Sequence, residues 1–315
     1  MPDTLHILAQ RIKTKALELG FELCGIAPVR VSAFKERFQE WLEQGFAADM
    51  SYMKGEPERR LNPRLVMPSA KSIVAVAKNY YTEIPANLPV DNARFARYAL
   101  NEDYHDVMSK SLRELLHFIK ANCDQEVIGK VYVDTGPLLE REIARLAGIG
   151  WFGKNTMIIN TYKGSWFLLG ELLLDIELPP DEPALGGCGS CTRCIDACPT
   201  GAIVRPYVVD SRKCISYLTI ENREEIPSSL AERMGNRIFG CDICQEVCPF
   251  NIRHAQPTQD PAFQPRAHIH NHKLTDLAMI GDEEFRDLFR KSPVKRTKRK
   301  GLARNCAAAV TAPKP

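Results

Sequence analysis

The stretch that decides the architecture reads Cys188-Gly-Ser-Cys191-Thr-Arg-Cys194-Ile-Asp-Ala-Cys198-Pro199. It is answered by Cys241-Asp-Ile-Cys244-Gln-Glu-Val-Cys248-Pro249, with Cys214 alone between them. A cubane iron–sulfur cluster needs four thiolates converging on its corners. Three cysteines at two-residue gaps wrap one cluster on a tight loop, and the cysteine before proline points to the neighbouring cluster. On that logic Cys188, Cys191, Cys194 and Cys248 hold one [4Fe–4S] cluster, and Cys198, Cys241 and Cys244 hold most of a second. A complete two-cluster repeat would place the missing ligand at Ile238, so Cys214 is the available replacement.

Cys-x-x-Cys pairs also build structural zinc sites, but those pair two separated knuckles and do not call for three knuckle cysteines plus Cys-Pro. A disulfide framework fits less well. Met1 to Pro28 lacks a basic-then-apolar export segment, and its Leu5, Leu8, Ile12 and Leu19 fall at helical spacing between charges. Unexported thiols remain reduced and free to bind metal, and a cytoplasmic location is expected. Cys24, Cys123 and Cys306 read as small buried hydrophobes or bystanders.

Working outward, 315 residues suit one large domain with a smaller one appended, and 44% apolar with 26% charged residues is ordinary for a soluble globular chain. The longest apolar run, Trp166 to Leu174, is interrupted by Gly170 and Glu171 and is too short to span a bilayer. Net charge is only +3, but Arg290 to Arg304 holds eight Lys or Arg and no acid. Such a concentration suits a phosphate backbone, or else a solvated basic tail.

Residues 1–180 read as an α/β (α+β) domain. Helices are expected at 4–19, 32–45 and 104–122, and strands at 21–27, 72–78 and 130–134. Thr135-Gly-Pro137 should turn the chain into a helix with proline at its first position and Gly148 as its stop. Thr156–Asn160 and Ser165–Leu174 suggest a β-hairpin. The Pro- and Gly-rich segment 179–190 marks the boundary to a ferredoxin-like two-cluster domain over 181–255. A helical basic segment comes next over 256–315, with helices at 282–290 and from Ser292.

Clusters move single electrons, so another group must do the carbon or oxygen chemistry. Asp134 is the best candidate: a carboxylate at a strand's end beside a Gly-Pro turn sits where α/β sheets place ligands. Closed from water, its pKa would rise and it could donate a proton; the alternative is a helix N-cap. The loop 148–155 joins three glycines, Trp151, Phe152, Lys154 and Asn155, which suits close approach to a flat ligand. Its glycines follow a helix rather than a strand, which argues against a dinucleotide fingerprint. Arg59 and Arg60 could bind a phosphate or an amide, or lie on a solvated surface.

At these residues the chain resembles the epoxyqueuosine reductase family of cobalamin-dependent iron–sulfur enzymes. The resemblance lies in VYVDTGPLLER (131–141), GWFGKN (150–155), Arg97-Tyr98, Asp103-Tyr-His105, the cysteine run, Cys214 and SPVKRTKR (292–299), and covers nearly the whole chain. It implies reduction of epoxyqueuosine to queuosine at the tRNA wobble position. Cobalamin would sit on the larger domain, fed through two [4Fe–4S] clusters by an external low-potential electron donor. It makes Asp134 the proton donor to the departing epoxide oxygen, overriding the N-cap reading. It also suggests corrin contacts at Arg60, Tyr98, Asp134, Lys154, Asn155 and Ser216, and tRNA contacts at Arg223, Lys295, Arg296, Lys298 and Arg299. A soluble monomer is the expected state. Such enzymes often continue into a HEAT-like region, of which 301–310 reads as the start.

Two rivals stand beside it. A cobalamin-dependent reductive dehalogenase pairs the same cofactors, but usually with a twin-arginine export segment, which is not found at Met1 to Gly20. A ferredoxin-like electron-transfer subunit would not need some 180 residues before its clusters.

Overall fold

A computed structural model describes residues 2–84, 89, 91–269 and 271–311. The β-branched run at Ser72–Asn79 lies inside a four-stranded sheet ordered Leu23–Pro28, Ser72–Asn79, Phe167–Leu174, Gly129–Tyr132. Val74 and Val76 face the helices Pro2–Glu18 and Tyr104–Ala121 through Leu8, Ile12, Met108, Leu112 and Leu115. Ile73, Ala75 and Ala77 face the opposite way, onto Met67 and the helix Glu140–Leu146. Burial on both faces explains why this strand is apolar without alternation. Leu112 and Leu115 are fully buried, so truncating either to alanine should cost about 2–5 kcal/mol.

Every neighbouring pair in the sheet is antiparallel. The α/β expectation is therefore corrected to α+β, and Asp134 is not at the switch point of a parallel sheet. The strand before it ends at Tyr132, and Asp134 follows with φ +57, in the left-handed region. It caps no helix: the next begins at Glu140, not at Pro137. Gly148 follows that helix with φ +75, as a stop signal requires.

The expected hairpin is also corrected. Ile158–Ile159 pairs with Trp151–Phe152, whereas Phe167–Leu174 pairs with the two sheet strands beside it. An isolated bridge, Asn160 to Gly164, closes the turn between the two runs. The long apolar strand buries more side chain in the sheet centre than a short hairpin would allow.

Residues 93–100 tie the sheet domain to the C-terminal half of the chain. Arg94–Phe95 pairs in parallel with Arg237–Phe239, and Phe95, Ala99 and Leu100 share a core with Phe239, Phe285, Phe289, Leu302 and Cys306. Asn305, fully buried on the last helix, donates to the Thr219 and Ile238 carbonyls at 2.8 and 2.9 Å. The basic segment does not form one helix from Ser292. Ser292 caps a 3-10 turn, Pro293–Thr297, by accepting from the Val294 amide; Lys298 then takes φ +62 before the helix Lys298–Thr311. This break interrupts the single helix expected from Ser292. No helix among the described residues is long and apolar enough to cross a membrane.

Candidate active site and cluster-binding thiols

Asp103 caps the helix Tyr104–Ala121 by accepting from the His105 amide, which fixes Tyr104 and His105 in its first turn. Both reach Asp134. The Tyr104 hydroxyl donates to Asp134 Oδ2 at 2.9 Å. His105 Nε2 lies 3.4 Å from the same oxygen, and its Nδ1 is 2.8 Å from Asp103 Oδ1. Behind the carboxylate, the Asp134 amide donates to Glu140 Oε1 at 2.7 Å.

These contacts set the protonation states. Burial works to raise the Asp134 carboxyl, but the His105 ring and Tyr104 hydroxyl outweigh it and hold it below the usual carboxylate range. Burial works to lower His105, yet Asp103 and Asp134 raise it from 6.5 to about 9, so it is an imidazolium at neutral pH. The expected upward shift of Asp134 is thus absent while the site is open; its side chain is 59% exposed.

The residues around Asp134 are aromatic and basic. Tyr98 meets Tyr104 edge-on at 5.9 Å. Arg60 stands over the Tyr52 ring at 5.8 Å and donates to the Tyr52 and Gly136 carbonyls at 3.1 and 3.4 Å. Burial comes first in raising the Tyr52 hydroxyl to about 12, and the charges of Glu221, Arg296, Asp134 and Arg60 also act on it. Tyr98 also abuts the cysteine loop: a side chain at Gly240, φ +72, would strike Ala96 Cβ at 2.6 Å and lie 3.6 Å from the Tyr98 ring.

Arg97 clamps this junction. Its amide and Nη1 donate to Asp242 Oδ2 at 2.8 and 3.1 Å, its Nη1 to Glu246 at 2.7 Å, and its guanidinium lies 4.8 Å from the Trp166 ring. Asp242 stands between Cys241 and Cys244, so the clamp fixes Tyr98 against the thiol loop.

The thiols fall into neighbourhoods. Burial, then Cys188, Cys248 and Cys191, raises Cys194. Burial, then Cys188 and Cys191, raises Cys248. Burial dominates at Cys214, with Cys198 adding to it. Cys241 is pushed up to about 12 by burial, with Cys214 adding to it. Cys244 is raised by burial, then by Cys241, Cys214 and Cys194. Backbone amides aim at the sulfurs: Lys154 at Cys188 (3.3 Å), Ala202 at Cys198 (3.2 Å), Ser216 and Tyr217 at Cys214, Ile243 at Cys241, and Phe250 and Asn251 at Cys248. Donors at sulfur favour thiolates and suit cluster ligation.

Lys154, Asn155 and Ser216 stand at these loops. Lys154 Nζ donates to the Gly189 and Cys191 carbonyls at 2.8 and 2.9 Å, Asn155 Nδ2 to the Cys244 carbonyl at 3.3 Å, and Ser216 hydrogen-bonds the Cys214 sulfur. In the basic segment, Arg296 pairs with Glu221 and Arg299 with Asp282, while Arg223 donates to the Arg296 carbonyl. Lys295, Lys298 and Lys300 are exposed and form no ion pair among the described residues. The sequence assigned no role to Glu140 or Arg97. Glu171 stood out only as a charge inside an apolar run.

The 4Fe-4S double cluster binding domain family matches residues 187–251, and the family described as Epoxyqueuosine reductase QueG, DUF1730 matches residues 60–135. The epoxyqueuosine reductase of Leadbetterella byssophila is 43% identical over 300 residues, 95% of this chain and 97% of its own. The chain belongs to the epoxyqueuosine reductase family. The Escherichia coli relative is 40% identical over 316 residues, covering 98% of this chain and 82% of that one. A solved epoxyqueuosine reductase with an epoxyqueuosine-modified tRNA-Tyr stem loop superposes with TM-score 0.90 at 32% identity, over 97% of this chain and 81% of that one. The Bacillus subtilis member, with its catalytic aspartate loop swung out of the active site, gives the same score and identity over 97% of this chain and 82% of its own.

Proposed function

We propose that this chain reduces epoxyqueuosine to queuosine at the wobble position of tRNA. The net step removes the epoxide oxygen as water and consumes two electrons and two protons. The observation that carries the reading is the position of Asp134: its exposed carboxylate meets Tyr104, whose ring abuts Tyr98, and Tyr98 lies against the thiol loop at Gly240. Family membership supplies the substrate class.

The ligand sets follow the thiol neighbourhoods: Cys188, Cys191, Cys194 and Cys248 for one [4Fe–4S] cluster, and Cys198, Cys214, Cys241 and Cys244 for the other. The groups around Asp134 also suit cobalamin. Arg60 Nε is a buried donor with no hydrogen-bond partner among the described residues, and the rim of a corrin is rich in amide carbonyls. Arg60 and Tyr98 would hold it, with Lys154, Asn155 and Ser216 supporting the loops beneath. Bound there, it would supply low-potential metal chemistry at the carbon–oxygen bond.

The side chains manage the proton. Covering this exposed carboxylate with substrate would remove water from it and push its pKa upward. His105, an imidazolium at neutral pH, and Tyr104 both lie at its oxygen. Asp134 then protonates the oxygen leaving the epoxide. The basic segment would hold the tRNA backbone through Lys295 and Lys298, with Arg223, Arg296 and Arg299 bordering it. The protein is expected to act as a soluble monomer that receives electrons from an external low-potential donor.

The test is an anaerobic assay of epoxyqueuosine-containing tRNA with added cobalamin and a low-potential reductant. Queuosine should form with wild-type protein. No product from protein with intact clusters and bound corrinoid would overturn the reading.

A further inference from the structure

Behind Asp134 lies a second pair of acids that the proton chemistry above does not use. Glu171 stands on the central strand Phe167–Leu174, opposite Tyr132 and Ala75. It is 0% exposed, and neither carboxyl oxygen has a hydrogen-bond donor among the described residues. Its side chain touches that of Glu140, the first residue of the helix Glu140–Leu146. Glu140 in turn accepts the Asp134 amide.

An ionised carboxylate buried without a donor is strongly disfavoured, so such a group keeps its proton. The Glu171 hydroxyl then has an acceptor within reach, the Glu140 carboxylate. Two touching carboxyls hold one proton between them, because like charges in contact do not both ionise. Burial raises both acids; Glu140 raises Glu171 further, whereas the hydrogen bond from Glu171 works to lower Glu140. The groups facing the pair are Asp134 from its loop, Arg141 on the same helix, Arg60 from the Pro57–Leu61 helix and Tyr104 from the long helix.

We propose that Glu171 is a neutral carboxylic acid whose proton bridges to Glu140, and that Glu140, so held, is the positioning residue for Asp134. The bridge orients the carboxylate that accepts the Asp134 amide. That bond secures a left-handed backbone, φ +57, a conformation uncommon outside glycine. With the backbone fixed, the Asp134 side chain reaches Tyr104 and His105. Ionisation of Glu171 would place two negative charges in contact and release the loop.

The positioning role rests on the reaction proposed above only for its kinetic arm. Its first test needs no substrate: infrared spectroscopy of wild-type protein carrying isotope-labelled glutamate. A protonated glutamate carbonyl band should be present at neutral pH and disappear in Glu171→Gln. A spectrum with no such band overturns the proposal, whatever the enzyme's activity.

In turnover, Glu140→Ala should lower kcat about tenfold to a hundredfold, the range expected for a lost charge-assisted hydrogen bond, with KM for tRNA unchanged. Glu171→Gln keeps a donor toward Glu140 and should retain activity. The alkaline fall in kcat expected as Glu171 ionises should shrink in this variant to the part that His105 contributes. A variant that keeps the wild-type alkaline limb, or Glu140→Ala with wild-type kcat, refutes the positioning role.

Discussion

Tyr104 and Asp134, thirty residues apart in sequence, meet at one oxygen, where the phenol donates to Oδ2 at 2.9 Å. The bond stabilises the charged carboxylate in the open site. It also fixes which oxygen faces the helix.

Asp134→Asn should therefore keep cluster content and tRNA affinity but lose roughly a hundredfold or more in turnover, the usual worth of general acid assistance. Tyr104→Phe should lose less, about tenfold, because one hydrogen bond to a charged group is removed. Single-turnover conversion of modified tRNA measures both. A wild-type rate in Asp134→Asn would remove the residue from the chemistry.

The pH dependence of stability should carry the signature of His105. Its folded pKa is raised, from 6.5 to about 9. A group raised in this way binds its proton more tightly when folded, so its stabilising contribution is complete below the unfolded value. It is lost as pH climbs through that window. Denaturant melts of wild type and His105→Gln should differ most below about pH 6.5 and converge above about pH 9. NMR titration of the ring gives the pKa directly.

Arg97 is the cation paired with Asp242, which is buried and titrates at about 6, raised by burial against the pull of Arg97. Removing one member of a buried pair strands the other, at a cost of about 3–5 kcal/mol. Arg97→Ala should be destabilised by that order near neutral pH. The defect should shrink toward about pH 5, where Asp242 takes up a proton and no longer needs a partner. Equal destabilisation at both pH values would show that lost packing on Trp166, not charge, dominates.

Cys214→Ala should lose one cluster and keep the other, since Cys214 neighbours Cys198, Cys241 and Cys244 but not the first set. Iron analysis and electron paramagnetic resonance of the reduced protein would register the loss. Two intact clusters in the variant would send the fourth ligand of the second set elsewhere.

The ion pairs sort the basic segment into free and committed charges. Neutralising Lys295, Lys298 and Lys300 should weaken tRNA binding. It should also flatten the log–log salt dependence by roughly 0.7 to 0.9 per lost phosphate contact. Arg299→Gln should do less, because Arg299 already faces Asp282 at 2.7 Å. An unchanged salt slope in the triple variant would make the segment a solubilising surface.

Residue spacing encodes whatever local chain geometry can carry. Cysteines two residues apart must wrap a common centre, and apolar residues at helical spacing must share a face, so the two-cluster run and the helix at Tyr104 were legible in the sequence. The Asp134 motif was legible from resemblance. The antiparallel order of the sheet was not, because a strand buried on both faces is apolar throughout and its pattern carries no direction. Neither were the partners that give Asp134 its chemistry. Tyr104 and His105 reach it from another helix, and Glu171 reaches Glu140 from the central strand. Arg97 grips Asp242 across 145 residues of chain. Hydrogen bonds and charges act over a few ångströms of space, and the folded chain alone brings distant residues within that range.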